Sequence, residues 1–185
     1  MGTETNRQIN IYKMNSKKVL IFVAILTVAI VIVAVGLFLA FSGKGGVGSS
    51  TSGGSGVSGA KSLQFTVKTT GGSTPSVEYT YYGKNIGGSN LDIRVEYTSS
   101  SFNYVYIING ALKKVWVETN GQWLDLSSQY QSQAASWGTT FDDYRTFLLS
   151  YGGSGSYTYH STNGETVQYT NIVANPSLPD SLFTH

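Results

Sequence analysis

Leu91-Asp92-Ile93-Arg94-Val95-Glu96-Tyr97 places an apolar side chain at every second position and a charge at each position between. Successive side chains of a β-strand point to opposite faces, so this alternation describes a strand with one face buried and the other in water. Outward from it the same kind of segment recurs. Leu63 to Thr69 and Val77 to Tyr82 are β-branched and aromatic runs separated by Gly71-Gly72-Ser73-Thr74-Pro75 and closed by Gly83. Phe102 to Ile108, Leu112 to Thr119 and Gln122 to Leu126 follow, divided by Asn109-Gly110 and Asn120-Gly121. Asn-Gly readily takes the positive φ angles of a type I′ turn, which predicts a meander of tight hairpins. A last hairpin joins 157–161 to 166–173 through Asn163-Gly164.

Between these hairpins the period changes. Tyr130, Ala134 and Trp137, then Phe141, Tyr144, Leu148 and Tyr151, recur at helical spacing. Thr140 stands three residues before Asp143, a weak capping-box signal. This pattern predicts two short helices, about 128–137 and 140–150, with Asp142 and Asp143 near the start of the second, where negative charge favours the exposed backbone N–H groups. The expected fold is mainly β (α+β), a curved antiparallel sheet covered by one or two short helices. Packing in the core is the plainest use of the aromatic stripe.

The chain begins differently. Residues 19–41 are 23 uncharged residues, VLIFVAILTVAIVIVAVGLFLAF. As a helix they would extend roughly 34 Å, enough to cross a hydrocarbon core of about 30 Å. Arg7, Lys13, Lys17 and Lys18 precede the run, and Lys44 and Lys61 are the next basic residues after it. The bias predicts an uncleaved signal-anchor with a cytoplasmic N-terminus and an extracytoplasmic remainder. Ala40 and Ser42 at peptidase-readable positions keep signal cleavage as the alternative. Met14 is an alternative start with the same topology. Residues 42–60 are Gly, Ser or Thr except Lys44, Val47, Val57 and Ala60, a composition that predicts a flexible tether with a reach of about 24 Å. The expected organisation is therefore a cytoplasmic tail (1–18), a transmembrane helix (19–41), a linker (42–60) and one β-rich domain (61–185).

Composition excludes several chemistries. The formal charge is +2, but residues 61–185 hold seven basic and nine acidic residues. Phosphate binding needs a concentrated basic face, so no nucleic-acid partner is expected. With no cysteine in the chain, disulfides, thiol catalysis, thiolate metal sites and a lipidated-cysteine anchor are out of reach. Asn175, the nearest match to a glycosylation acceptor, is blocked by Pro176.

Motifs for catalysis or cofactors fail on context. Residues 43–48 satisfy G-x-G-x-x-G, but an apolar run precedes them, a Gly/Ser tract follows, and Ser49 stands where a phosphate loop needs lysine. Nucleotide binding is not expected. His160 and His185 have no second ligand at metal-binding spacing, so no metal or other cofactor is expected. No Gly-x-Ser-x-Gly elbow occurs, and Ser154 reads as a loop residue. The chain reads as a non-enzyme.

The ladder Tyr81-Tyr82-Gly83, Leu91 to Tyr97, Tyr104 to Ile108, Val115-Trp116-Val117 and Trp123-Leu124-Asp125-Leu126 is followed by a closing tail from Asn175 to Thr184 that contains Pro-Asp-Ser-Leu-Phe-Thr. Over residues 63–184 this order resembles the lipoprotein-carrier (LolA-like) superfamily. The resemblance implies a half-barrel whose concave face, partly covered by helices, holds acyl chains or another hydrophobic partner, and it brings no catalytic residues. The cavity-lining residues it implies are Tyr79, Tyr81, Leu91, Ile93, Val95, Tyr104, Tyr106, Val115, Trp116, Tyr144 and Leu148. A membrane span in place of a free carrier favours local binding or sensing over shuttling.

Three functions follow as expectations. The first is a membrane-anchored extracytoplasmic domain that binds a lipid or other hydrophobic ligand. The second is a cell-surface structural or interaction protein, such as an envelope or pilus-like subunit. The third is an exported, membrane-associated antagonist of neighbouring cells. Low charge and absent cysteines suit a hot, acidic exterior and give the composition an archaeal character.

Overall fold

The computed structural model describes residues 49–50, 59–71, 75–99, 103–150, 155–160 and 164–185. The apolar run 19–41 and the G-x-G-x-x-G segment 43–48 lie outside these residues. Among the described residues no helix is long and apolar enough to cross a membrane.

Eight strands form one open antiparallel sheet. They are β2 (Ser62–Gly71), β3 (Val77–Lys84), β4 (Asp92–Ser99), β5 (Asn103–Asn109), β6 (Lys114–Thr119), β7 (Gln122–Asp125), β8 (Gly155–His160) and β9 (Glu165–Ala174). The two-residue β1 (Ser49–Ser50) joins one edge, giving the order β1-β8-β9-β2-β3-β4-β5-β6-β7. Every strand expected from the sequence is present. A short 3-10 turn (Ser127–Gln129) leads into a single helix, α1 (Tyr130–Ser150). Residues of the Gly/Ser/Thr tract enter the fold at both ends of its described part, since Ser49 and Ser50 pair with β8 and Ala60 is fully buried. Backbone pairing needs no apolar side chain, so a tract of this composition can still extend a sheet.

Register sorts the side chains into two faces. Phe65, Tyr81, Val95, Tyr106, Val117 and Leu124 are successive cross-strand partners. Leu63, Gly83, Ile93, Ile108 and Val115 form a second row, and Tyr157, Tyr169, Val67, Tyr79, Tyr97 and Tyr104 a third. Helix α1 packs on this face. Tyr144 lies 5.1 Å from Phe65 and 5.0 Å from Tyr81 between ring centroids, and Trp137 lies 5.3 Å from Tyr106. Such tilted ring pairs add specific geometry to a large burial of apolar area.

The opposite face is covered by the tail. Ile107, Trp116 and Phe183 form a second buried cluster, flanked by Tyr82, Val105, Trp123, Leu178 and Leu182. His185 stacks on Trp123 at 4.5 Å. Arg94 Nη1 donates to the Leu182 carbonyl (3.2 Å) and Asn109 Nδ2 to the Phe183 carbonyl (3.2 Å), while Lys84 pairs with Asp180.

Two local expectations are corrected. The helix does not break near residue 138 but runs from Tyr130 to Ser150, and the Thr139 and Thr140 hydroxyls, instead of capping a new helix, donate back to the carbonyls of Ala135 (3.2 Å) and Ser136 (3.0 Å). Thr140 is thus no cap, and Asp142 and Asp143 lie inside the helix and not at its start. Asn109-Gly110 is not a two-residue turn either. Asn109 pairs with Lys114, the left-handed residue is Lys113 (φ 54°), and Asn109 Oδ1 accepts from Leu112 N at 2.8 Å. A Cβ on Gly110 would lie 2.5 Å from the Asn90 carbonyl carbon, so this glycine serves a close approach of two loops. Asn120-Gly121 does take the positive φ angles of a type I′ hairpin (52° and 75°).

Candidate functional site

Nine of the eleven cavity residues expected from the sequence are buried in the protein's own core. Tyr79, Tyr81, Ile93, Val95, Tyr104, Tyr106, Val115, Tyr144 and Leu148 are all buried on the helix side of the sheet. Their hydroxyls are satisfied where the geometry is defined. Tyr81 and Tyr144 share a hydrogen bond at 3.2 Å, and Tyr106 donates to Gln133 Oε1 at 3.0 Å. Burial raises the Tyr81, Tyr104, Tyr106 and Tyr144 phenols above their ordinary range. Burial, with a smaller contribution from Tyr97, pushes Tyr79 up to about 12. These are neutral packing groups at any physiological pH.

Trp116 stands apart. It pairs with Ile107 and is buried beneath the tail, on the face away from α1. Its neighbour Val115 lies on the helix side, and adjacent strand residues cannot share a face.

Open space survives at one end of the helix–sheet interface. A cavity of about 250 Å³ is lined by Ile86, Gly87, Gly88, Ser89, Leu91, Ile93, Ile108, Tyr130, Ala134, Gly138, Phe141 and Asp142. Leu91, and Ile93 from the buried set above, are the expected residues that reach it. Aliphatic Ile86, Leu91, Ile93 and Ile108 share the lining with polar Ser89, Tyr130 and Asp142. One wall is a single face of α1, where Tyr130, Ala134, Gly138 and Phe141 follow at spacings of four, four and three. Two of these four residues are small, which leaves the space.

The other wall is the β3–β4 loop, residues 85–91, held by polar contacts. Asn85 adopts φ 60° and its Nδ2 donates both to the Asn90 carbonyl (3.2 Å) and to Asp92 Oδ2 (3.0 Å). Gly110 N donates to Asp92 Oδ1 at 2.9 Å, and Ile86 N to the Lys61 carbonyl at 3.0 Å. Burial raises the Asp92 carboxyl above its ordinary range, against the opposing pull of the Gly110 hydrogen bond, Lys84 and Asn85. The loop wall is thus fixed through a buried carboxylate at the base of β4.

Sequence reasoning missed the loop residues Ile86 to Ser89, the strand residue Ile108 and the helix residues Tyr130, Ala134, Gly138, Phe141 and Asp142. Ala134 was visible as part of the helical stripe, but the continuity of the helix through Gly138 was not. No group of three His, Cys, Asp or Glu side chains that could hold a metal occurs among the described residues. His160 is exposed, its Nδ1 3.1 Å from Thr166 Oγ1, and Asp142 pairs with Arg145 at 3.3 Å. No protein-family model matches the chain, and no curated protein matches it.

Proposed function

We propose that the domain is a binding module that takes a small hydrophobic group, or the end of a lipid chain, into the cavity between α1 and the 85–91 loop. The observation that carries this reading is a cavity lined in part by Ile86, Leu91, Ile93 and Ile108 beside a core packed with the protein's own aromatic side chains. An engineered apolar cavity of about 150 Å³ holds benzene, so a volume of about 250 Å³ suits a group of roughly eight to ten heavy atoms. An intact acyl chain is too long for it unless α1 moves away from the sheet.

In this reading the sheet and α1 form a half-barrel of the lipoprotein-carrier kind. Residues 19–41 anchor it in the cell membrane as a single pass, with the domain on the extracytoplasmic side. The ligand is taken up locally, and no residue acts as a catalyst. A second reading, a cell-surface interaction or structural protein, draws on the open edge of the sheet. At one end of the sheet β7 has no strand beyond it among the described residues, and an unsatisfied strand edge is a template for another chain.

Native mass spectrometry of the full-length protein purified from its host tests the first reading. It expects one small hydrophobic molecule per chain, lost when Leu91→Trp fills the cavity. Ligand-free protein, or a ligand retained in the Leu91→Trp variant, would remove its support, and a self-assembled oligomer without ligand would favour the second.

A further inference from the structure

We infer that Gly138 is the residue that sets the size of the group the cavity accepts; this rests on the binding reading above. A glycine inside a helix weakens it relative to alanine, so a mid-helix glycine calls for a reason. Two reasons are common, a close neighbour or a backbone angle that only glycine tolerates, and Gly138 has neither. It lies within the regular helix α1 with no positive φ, and the nearest atom a Cβ would meet is Leu91 Cδ2 at 3.8 Å, an ordinary van der Waals contact. The contrast with Gly83 is direct. There a Cβ would fall 2.7 Å from Phe141 Cζ and closer still to Cε1, so the ring requires the glycine.

What Gly138 does instead is line the cavity, one turn beyond Ala134 and facing Leu91. A methyl group at this position would be tolerated by the fold and would occupy the space between helix and loop. Sites where a sequence breaks a local rule without a packing cause are where a functional constraint is expected. The chemical class implied is a compact, uncharged group such as a substituted ring, whose apolar face meets Leu91, Ile93 and Ile108 and whose polar edge meets Ser89 and Asp142.

The test uses the full-length protein with benzene and naphthalene as probes, followed by methyl NMR, for wild type, Gly138→Ala and Gly138→Leu. Wild type is expected to bind both. Gly138→Ala is expected to keep benzene, lose naphthalene affinity roughly tenfold or more, as one methyl group in an apolar pocket does, and melt a few degrees higher because the helix gains a better former. Gly138→Leu is expected to exclude both probes. Naphthalene binding unchanged in Gly138→Ala while wild type binds both would overturn the size role and leave the binding reading standing. A lower melting temperature for Gly138→Ala would also overturn it, by showing that the fold itself needs the glycine. Failure of wild type to take either probe would overturn both.

Discussion

Substituting Gly83 by alanine should destabilise the protein through one specific overlap. Gly83 lies on β3 beneath the Phe141 ring, and an added Cβ would come within 2.7 Å of Phe141 Cζ. Phe141 is fully buried against Phe65 and Tyr81, so its ring can yield to an added Cβ only toward the cavity it also lines. Overpacking of this kind costs about 1–3 kcal/mol. Alanine regains about 0.5–1 kcal/mol over glycine in an extended strand. The net loss is at most about 2.5 kcal/mol and centres on about 1 kcal/mol, a sizeable part of an ordinary domain's stability. Thermal and urea unfolding monitored by circular dichroism should show a melting temperature lower by roughly 3–10 °C, and a lower urea midpoint with an unchanged slope. Phe141→Leu in the Gly83→Ala background should recover part of the loss, since it removes the overlapping atoms. If Gly83→Ala is as stable as wild type or more so, Phe141 does not rest on β3 and the docking of α1 described above is wrong.

Other outcomes follow from the same contacts. Tyr144→Phe should cost about 1–2 kcal/mol by leaving the buried Tyr81 hydroxyl without its partner, whereas Tyr81→Phe with Tyr144→Phe should cost less than the two single changes together. Trp116→Leu should lower the melting temperature by opening the cluster with Ile107 and Phe183, yet leave probe affinity in the cavity unchanged, because it lies on the other face. Asp92 has a carboxyl raised above the ordinary 3.8 by burial. The folded state therefore holds its proton more tightly than the unfolded state, and its contribution is full below 3.8 and lost as pH rises through the raised value. Urea unfolding across this window should show wild type losing stability relative to Asp92→Asn as pH increases. Asp125, lowered by hydrogen bonds from Ser127, should behave in the opposite sense, with stability lost as pH falls through its lowered value.

The strands were legible because a half-buried strand writes its period directly into the chain, as Leu91 to Tyr97 does. Even the hairpin at Asn120-Gly121 could be read residue by residue. The turn at Asn109-Gly110 could not, because a contact with Asn90, distant in sequence, decided what Gly110 is for. The helix was divided in two on the strength of Thr140 as a cap three residues before Asp143, whereas the Thr140 hydroxyl bonds back along the helix to the Ser136 carbonyl. Trp116 stood beside Val115 among the cavity residues the resemblance implies, although strand parity separates them and the tail supplies a second apolar surface. The cavity was the least legible feature, since open space is made by what Ala134 and Gly138 lack and by a loop without periodicity.

Methyl-resolved NMR of the full-length protein titrated with benzene tests the central claim most directly. The account expects saturable shifts confined to the methyl groups of Ile86, Leu91, Ile93 and Ile108, with those of Leu178 and Leu182 beneath the tail unmoved. Absence of saturable shifts at these four residues, or shifts centred on Leu178 and Leu182, would contradict a binding site between α1 and the 85–91 loop.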